Sequence, residues 1–94
     1  MEYELRIYEA KDGELDAFVA EWQEQVVPLR RAAGFDVVGG WRTDDGRFVW
    51  ILGFDGDFSA ADAAYYESPA RRAVEPDPAR HLAQREHVRV LRVL

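Results

Sequence analysis

Cysteine and asparagine are both absent from this sequence of 94 residues. Without cysteine there are no disulfides, no thiolate metal ligands and no cysteine nucleophiles. There is also no apolar run of about 18 residues, the length that a transmembrane helix needs. The opening residues, MEYELRIYEA, alternate charged and apolar side chains as a strand does, which is unlike a signal peptide. We therefore expect a cytoplasmic protein with no membrane partner.

Positive charge is scarce, and lysine occurs only once, at Lys11. The 12 basic and 18 acidic residues leave a formal net charge of −6. Such a surface repels phosphate backbones unless basic residues cluster locally. Arg71 and Arg72 are the only adjacent basic pair outside the first predicted helix, and two charges are too few to form a binding patch. We expect no nucleic-acid partner.

Motifs for common catalytic and cofactor sites are absent as well. There is no phosphate-binding P-loop, no GxGxxG and no GxSxG. The two histidines, His81 and His87, are six residues apart and do not match the i, i+4 spacing of a helical metal pair. The two serines, Ser59 and Ser68, are better explained as helix caps than as nucleophiles. We expect no metal and no cofactor, and no catalytic residue is identified.

The most informative stretch that is present is the apolar run at residues 47–55, RFVWILGFD. In an extended strand Phe48, Trp50 and Leu52 point to one face, whereas Val49 and Ile51 point to the other. A strand that is apolar on both faces must be covered on both sides, so this strand is predicted to be central in a sheet. The chain's own helices can cover one face, and we expect a second copy to cover the other.

The remaining elements follow from hydrophobic periodicity. Strands are predicted at residues 3–8, 35–42, 47–55 and 85–94, with one helix after the first strand and another at residues 59–67. The order strand, helix, strand, strand, helix, strand is typical of the ferredoxin-like arrangement. We predict a single α+β domain over residues 1–94, with a four-stranded antiparallel sheet whose first and third strands are central. Two such sheets packed together would form a homodimeric α/β barrel.

Individual residues predict local features of these elements. Asp12 is expected to cap the first helix, and Gly34 to follow its C-terminus. Pro28 falls inside that helix and is expected to kink it or to break it into two pieces. Gly39 and Gly40 lie within the second strand, where they indicate either a β-bulge or a close approach by another backbone or a ligand. The second strand is predicted to present Phe35, Val37, Gly39 and Trp41 on one face.

Four stretches of the chain resemble the NIPSNAP family: YELRIYEAKDGELDAFVAEW, PLRRAAGFDVVGGW, RFVWILGF and YYESPARRAVEPDPARHLAQ. The last is typical of small bacterial members, and together the four cover almost the whole chain. The resemblance implies the fold of the dimeric α/β-barrel class, which the family shares with the antibiotic-biosynthesis-monooxygenase group. It implies no particular chemistry, because no general activity is established for NIPSNAP domains and a fold does not determine a function.

Two functions are consistent with this resemblance. The first is a domain that binds a small, partly apolar molecule or takes part in protein interactions, without turnover. The alternative is a cofactor-independent, monooxygenase-like enzyme that acts on a quinol-like or aromatic substrate. Quinol-oxidising and haem-degrading relatives use asparagine in their pockets, and the absence of asparagine here counts against this alternative.

Arg6 and Tyr8 are the first candidates for substrate binding. They project together from the first strand, on the face away from Leu5 and Ile7. If that face is the barrel interior, Arg6 is a partly buried cation that needs a partner. It is then either an anchor for an anionic or enol oxygen, or an ion-pair partner of Glu4 or of an acid across the dimer interface.

Four further side chains complete the candidate set, each with a structural alternative. Trp41 and Trp50 are either walls of a pocket or simply core residues, because aromatic side chains bury large areas. His81, in a short polar turn, is either an acid or base at the mouth of a pocket or a surface histidine. Tyr65 and Tyr66 are adjacent on a helix, so one is expected to pack and the other to reach solvent or a cleft, with Tyr66 as the candidate.

Overall fold

The computed structural model describes residues 1–94. The elements in chain order are β1 (Glu2–Ala10), α1 (Leu15–Glu21), a π segment (Trp22–Val26), α2 (Val27–Ala32), β2 (Asp36–Arg42), β3 (Phe48–Phe54), α3 (Phe58–Glu67), α4 (Pro69–Arg72), a 3-10 turn (Pro78–His81) and β4 (Leu82–Val90). No helix is long and apolar enough to cross a membrane.

The four strands form one antiparallel sheet in the order β2-β3-β1-β4. β1 and β3 are therefore the central strands, and the predicted ferredoxin-like α+β fold is confirmed. Arg6 of β1 is opposite Trp50 of β3 and His87 of β4, so these three side chains share one face of the sheet. β4 lies at an edge as predicted, although it begins at Leu82 and ends at Val90.

The helices cover only one face of the sheet, and the β1 side chains that point toward them include two charged groups. Glu4, Arg6 and Tyr8 are buried there, whereas Leu5 and Ile7 are only partly buried on the other side, here called the open face. Arg6 thus points into the helix layer of the same chain. The expectation that its face could be the interior of a two-sheet barrel is wrong, because the helices occupy that face.

Aromatic side chains dominate the core between the sheet and the helices. Trp22 from the π segment meets Phe48 edge to face at 4.9 Å and Trp50 at 5.6 Å between ring centroids. These edge-to-face contacts are a preferred geometry for aromatic pairs. The buried apolar core consists of Tyr8, Phe18, Trp22, Phe35, Val37, Phe48, Trp50, Leu52, Phe58 and Tyr65.

Pro28 interrupts the first helix, as predicted. Because proline has no N–H, the hydrogen bond from residue 28 back to Glu24 cannot form. The turn before it is widened into the π segment, in which the Val27 N–H donates to the carbonyl oxygen of Trp22. The backbone keeps right-handed helical angles at both ends of the segment, so the pieces follow one another as a single interrupted helix.

The ends of this helix agree only partly with the sequence signals. Glu14, not Asp12, occupies the N-cap position, and it makes no capping hydrogen bond through its side chain. The prediction for Asp12 is wrong because Gly13 places a tight turn, with a φ of 76°, between Asp12 and the helix. Gly34 follows the C-cap residue Ala33 with a φ of 93°, which confirms its predicted role.

In the second half of the chain, one of the two predicted serine caps is wrong. α3 is capped by Asp57, whose side chain accepts from the Ala60 N–H, and not by Ser59. Ser68 does cap α4, as expected, by accepting from the Arg71 N–H.

The glycine pair in β2 combines a bulge with a close approach by a side chain. The register between β2 and β3 shifts between Val37 and Gly39, which confirms the bulge. Beyond it, Trp41 is paired with Val49 and lies half-exposed on the open face. The predicted common face for Val37 and Trp41 is therefore wrong, because the extra residue reverses the alternation of side chains.

We predict that Gly40→Ala destabilises the fold by about 1–3 kcal/mol, the usual range for overpacking a core. A Cβ at Gly40 would lie 2.6 Å from the Trp22 ring and 2.9 Å from the Phe48 ring, and both rings are buried. The control is Gly39→Ala, whose Cβ would meet only the half-exposed Trp41 ring, which can move aside. Chemical denaturation measures both variants, and equal stabilities would contradict this explanation.

Candidate functional site

A cavity of about 210 Å³ lies between the sheet and the helix layer. We call it the helix-side cavity. Its walls come from β1, β3 and β4, from α1 to α2 with the π segment between them, and from α3, α4 and the 3-10 turn. The lining residues are Tyr8, Phe18, Trp22, Val26, Arg30, Trp50, Tyr65, Tyr66, Arg71, Asp77, Pro78, Ala79, Leu82 and Arg85.

Arg30 brings a fully buried guanidinium to this cavity. Its Nη1 lies 2.7 Å from Asp62 Oδ1, and its Nη2 donates to the Tyr66 hydroxyl at 3.2 Å. The guanidinium also stacks over the Tyr65 ring, with its central carbon 3.8 Å from the ring centroid, and over the Phe35 ring at 4.6 Å. Ion pairing and cation–π contacts thus hold the cation in one position.

Arg6 is also fully buried. It does not line the helix-side cavity itself, but it contacts Tyr66, which does. Its Nε donates to Glu4 Oε1 at 2.8 Å, its Nη2 to Asp62 Oδ1 at 3.0 Å and its Nη1 to the Tyr66 hydroxyl at 3.1 Å. The predicted ion pair with Glu4 is confirmed. Burial by itself would lower the pKa of Arg6, but nearby tyrosine and carboxylate groups outweigh it and raise that pKa. Asp62 and Tyr66 are each shared with Arg30.

Tyr8 and Trp50 form part of the cavity wall and belong to the core as well. Trp50 is 1% exposed, and its ring lies 6.4 Å from that of Tyr8 in an edge-to-face arrangement. Burial raises the pKa of the Tyr8 hydroxyl, so the group stays protonated and neutral around pH 7. Both interpretations of Trp50, as core and as pocket wall, describe its position. Trp41 does not join it, because it lies on the opposite face of the sheet.

The two adjacent tyrosines of α3 differ in burial, as expected. Tyr65 is buried, and burial raises the pKa of its hydroxyl. Tyr66 is 42% exposed and places its hydroxyl between the two buried guanidinium groups. One tyrosine therefore packs and the other reaches a cleft, which confirms the prediction.

His81 occupies a different place from the one predicted. It is 8% exposed, and its Nδ1 and Nε2 each lie 2.8 Å from a carboxylate, of Glu14 and Glu21 respectively. The hydrogen bond with Glu21, and then that with Glu14, raises its pKa. The interpretation as a surface histidine is wrong, and His81 does not line the helix-side cavity. Instead it ties the 3-10 turn to the first helix.

No group of three histidine or carboxylate side chains is placed to hold a metal ion. The cavity lining combines hydrogen-bonding side chains, three arginines and three tyrosines among them, with aromatic walls. Such a set suits an oxygen-bearing molecule with an apolar body.

The profile of the NIPSNAP family matches residues 3–93 of this chain. The chain belongs to the NIPSNAP family. The resemblance seen in the sequence is thereby confirmed. No curated protein matches the chain.

Solved structures share the fold over nearly the full length. An uncharacterized NIPSNAP domain protein from Burkholderia xenovorans is 21% identical, with a TM-score of 0.83 and 98% of this chain and 94% of that chain covered. A NIPSNAP family protein from Agrobacterium tumefaciens is 18% identical, with a TM-score of 0.85 and coverage of 97% and 84%. A protein described as an antibiotic biosynthesis monooxygenase is 18% identical, with a TM-score of 0.74 and full coverage of both chains. At these identities the likeness concerns the fold alone.

Sequence reasoning missed several residues of the cavity in this NIPSNAP domain. Arg30 is not among the candidates predicted from sequence, yet it continues the row Phe18, Trp22, Val26 at a spacing of four residues. A cation on the apolar stripe of a helix is a signal for a buried, partnered charge. Asp62 lies four residues before Tyr66 on α3, so the two side chains share one face of that helix. The Asp62 carboxylate is the partner that the buried Arg30 needs.

We predict that His81 makes stability depend on pH in a defined direction. The protonated ring donates to both Glu14 and Glu21, whereas the neutral ring has one N–H and can donate to only one of them. Because the folded pKa is raised, this stabilisation is complete below the ordinary pKa of about 6.5 and is lost as the pH rises through the folded pKa. As the pH rises over that window, the free energy of unfolding of the wild type should fall relative to that of His81→Gln. Denaturant titrations at a series of pH values measure this difference.

The control for this prediction is the other histidine. Burial first, and then the charge of Arg6, lowers the pKa of His87, so its contribution is present above pH about 6.5 and is lost as the pH falls. His87→Gln should therefore change the pH profile in the opposite sense. A constant difference between wild type and His81→Gln from pH 6 to pH 9, roughly the range that spans the ordinary histidine pKa, would refute the role of His81.

Proposed function

We propose that this NIPSNAP domain binds a small, partly apolar molecule in the helix-side cavity, without turnover. The observation that carries the proposal is the cavity itself, with a volume of about 210 Å³ and several aromatic side chains lining it beside a buried cation. Typical pockets for drug-sized ligands measure about 300–1,000 Å³, so a smaller ligand is indicated. An apolar cavity of about 150 Å³ accepts benzene, and this one therefore suits a single ring with a short substituent.

The π segment supports the same site. π-helical turns inside α-helices are frequent at functional sites. Here the segment contributes Trp22 and Val26 to the cavity wall. The widened turn, next to Pro28, is thus located where a ligand would bind.

Of the six residues predicted from sequence, we assign three to direct contact with the ligand: Tyr8, Trp50 and Tyr66. Arg6 would act indirectly, because its Nη1 donates to the Tyr66 hydroxyl at 3.1 Å and holds that hydroxyl in position. Trp41 and His81 lie outside the cavity lining and have no part in this proposal.

We further propose that the protein is a homodimer joined through the open face. Leu5, Ile7, Val49 and Ile51 of the two central strands lie there, and no helix of the same chain covers them. Val38, Trp41 and Val88 extend this surface and are 51%, 50% and 38% exposed. A second sheet packed on this face would bury its apolar side chains, as in other face-to-face sheet pairs.

The alternative function is a cofactor-independent, monooxygenase-like enzyme that uses the same cavity for an aromatic or quinol-like substrate. The aromatic side chains and the hydrogen-bond donors that line the cavity favour it, because they match the ring and the oxygens of such a substrate. Consumption of oxygen in the presence of a bound quinol would establish it, whereas binding without oxygen uptake would leave the binding function.

We predict that small monocyclic compounds raise the melting temperature of the protein. A ligand at a hundred times its Kd adds about 2.7 kcal/mol, which is several degrees for a domain of this size. Ala79→Leu, which fills part of the cavity wall, should abolish the shift. The control Ala70→Leu changes an exposed alanine on α4 and should retain it. A panel without any shift, or an equal shift in both variants, would refute binding in this cavity.

We predict that light scattering gives twice the chain mass of 10.8 kDa at micromolar concentration. Ile51→Asp places a charge in the centre of the open face and should yield monomers, because burying an unpaired charge is strongly unfavourable. The exposed helix residue Ala20 provides the control, and Ala20→Asp should remain dimeric. A monomer mass for the wild type would contradict the dimer.

A further inference from the structure

The walls of the helix-side cavity contain buried side-chain nitrogen and oxygen atoms that make no well-aligned hydrogen bond. These are Nε1 of Trp22, Nε1 of Trp50, Nε and Nη1 of Arg30, and the Tyr65 hydroxyl. Nη1 of Arg30 has its ion pair with Asp62, Nε1 of Trp50 lies near the Tyr8 hydroxyl, and the Tyr65 hydroxyl lies near Arg71. That leaves Nε1 of Trp22 and Nε of Arg30 without an acceptor. Trp22, Trp50, Arg30 and Tyr65 all line the cavity, and all are more than nine-tenths buried. Indole and guanidinium nitrogens can only donate, so a partner must bring acceptor atoms. Buried polar groups without partners are rare enough in native proteins to require an explanation.

The charges of the lining residues also favour a ligand that brings acceptor atoms, and in particular an anion. The lining includes three arginines, Arg30, Arg71 and Arg85, and a single acidic residue, Asp77. The chain as a whole carries a net charge of −6, so this local excess of positive charge is opposite in sign to the rest of the protein. Desolvated walls strengthen the attraction of such a site for an anion.

Arg30 shares its one ion-pair partner with Arg6. Asp62 Oδ1 lies 2.7 Å from Arg30 Nη1 and 3.0 Å from Arg6 Nη2, and Arg6 has a second carboxylate partner in Glu4. The two cations are therefore matched by two carboxylates, but Arg30 contacts only the shared one and its Nε has no acceptor. A ligand oxygen at this Nε would complete the hydrogen bonding of Arg30.

We propose that the ligand of this cavity is a small aromatic carboxylate, of about the size of benzoate. The planar carboxylate would accept from Nε of the Arg30 guanidinium and from the Trp22 indole N–H, and the ring would lie against the aromatic wall that Trp22 and Trp50 form. A carboxylate suits the site better than a phosphate, because its planar pair of oxygens matches the geometry of one guanidinium and a neutral indole donor completes its hydrogen bonding. This inference rests on the proposed binding function and names its ligand class.

Three probes of similar size separate this inference from the binding function itself: benzoate, its neutral isostere benzamide, and toluene. The three tryptophans provide separate indole N–H signals in heteronuclear NMR spectra, and Trp41 serves as an internal control because it lies on the open face. Benzoate should shift the signals of Trp22 and Trp50 and leave that of Trp41 in place. It should bind about tenfold more tightly than benzamide, a difference of about 1.4 kcal/mol, because hydrogen bonds to charged groups are stronger than those between neutral groups.

The variant pair Arg30→Met and Arg31→Met tests the role of the buried cation. Both residues are on α2, and Arg31 is exposed. Arg30→Met should weaken benzoate binding by about 10- to 100-fold and toluene binding far less, whereas Arg31→Met should change neither. If Arg30→Met does not fold, Trp22→Phe removes one donor while keeping an aromatic ring in the wall, and it should weaken benzoate binding more than toluene binding.

The possible outcomes distinguish the two claims. If toluene or benzamide perturbs Trp22 and Trp50 as strongly as benzoate does, the carboxylate inference is overturned and the binding function stands. If none of the three probes perturbs these signals, the cavity is not a binding site for molecules of this size, and both claims fail. Selective, Arg30-dependent binding of benzoate supports both.

Discussion

The shared pairing of two buried arginines with Asp62 and Tyr66 is the interaction on which the rest of this structure depends. Arg6 comes from the central strand β1, Arg30 from α2, and their two common partners from α3. The network therefore joins the sheet to both helical crossovers at one point. Breaking such a buried pair typically costs about 3–5 kcal/mol, because it leaves a charge unpaired in a low-dielectric interior. The same requirement for pairing fixes the position of α3 over the sheet.

The more polar face of β1 is the buried one. The face with Glu4 and Arg6 is covered by the helices, whereas the face with Leu5 and Ile7 is not covered by any helix of the chain. The polar groups can be buried because each finds a partner within the helix layer, as Arg6 does in Glu4. The apolar face has no such requirement and can pack against any complementary apolar surface. A binding cavity on one side and an interface on the other are consistent uses of these two faces.

Much of the fold was predictable from local patterns. The alternation at residues 47–55 identified the central strand β3, and Gly34 and Ser68 marked helix ends through backbone and capping requirements that act over a few residues. The bulge beside Gly39 was also predicted, but its consequence was not. One extra residue reverses the faces of everything that follows in β2, which is why Trp41 was placed on the wrong side.

The sequence by itself determined the order of the elements, the central position of β3 and the family of the chain, because periodicity and turn residues act locally and the family resemblance extends over nearly all of it. Only the tertiary structure decided which side chains meet. Arg6 and Arg30 are 24 positions apart in the numbering, and Asp62 lies on another crossover, so no local pattern states that they share one carboxylate. His81 shows the same limit, since its two carboxylate partners belong to a distant helix. A buried charge reveals that it needs a partner, but packing alone determines which partner it finds.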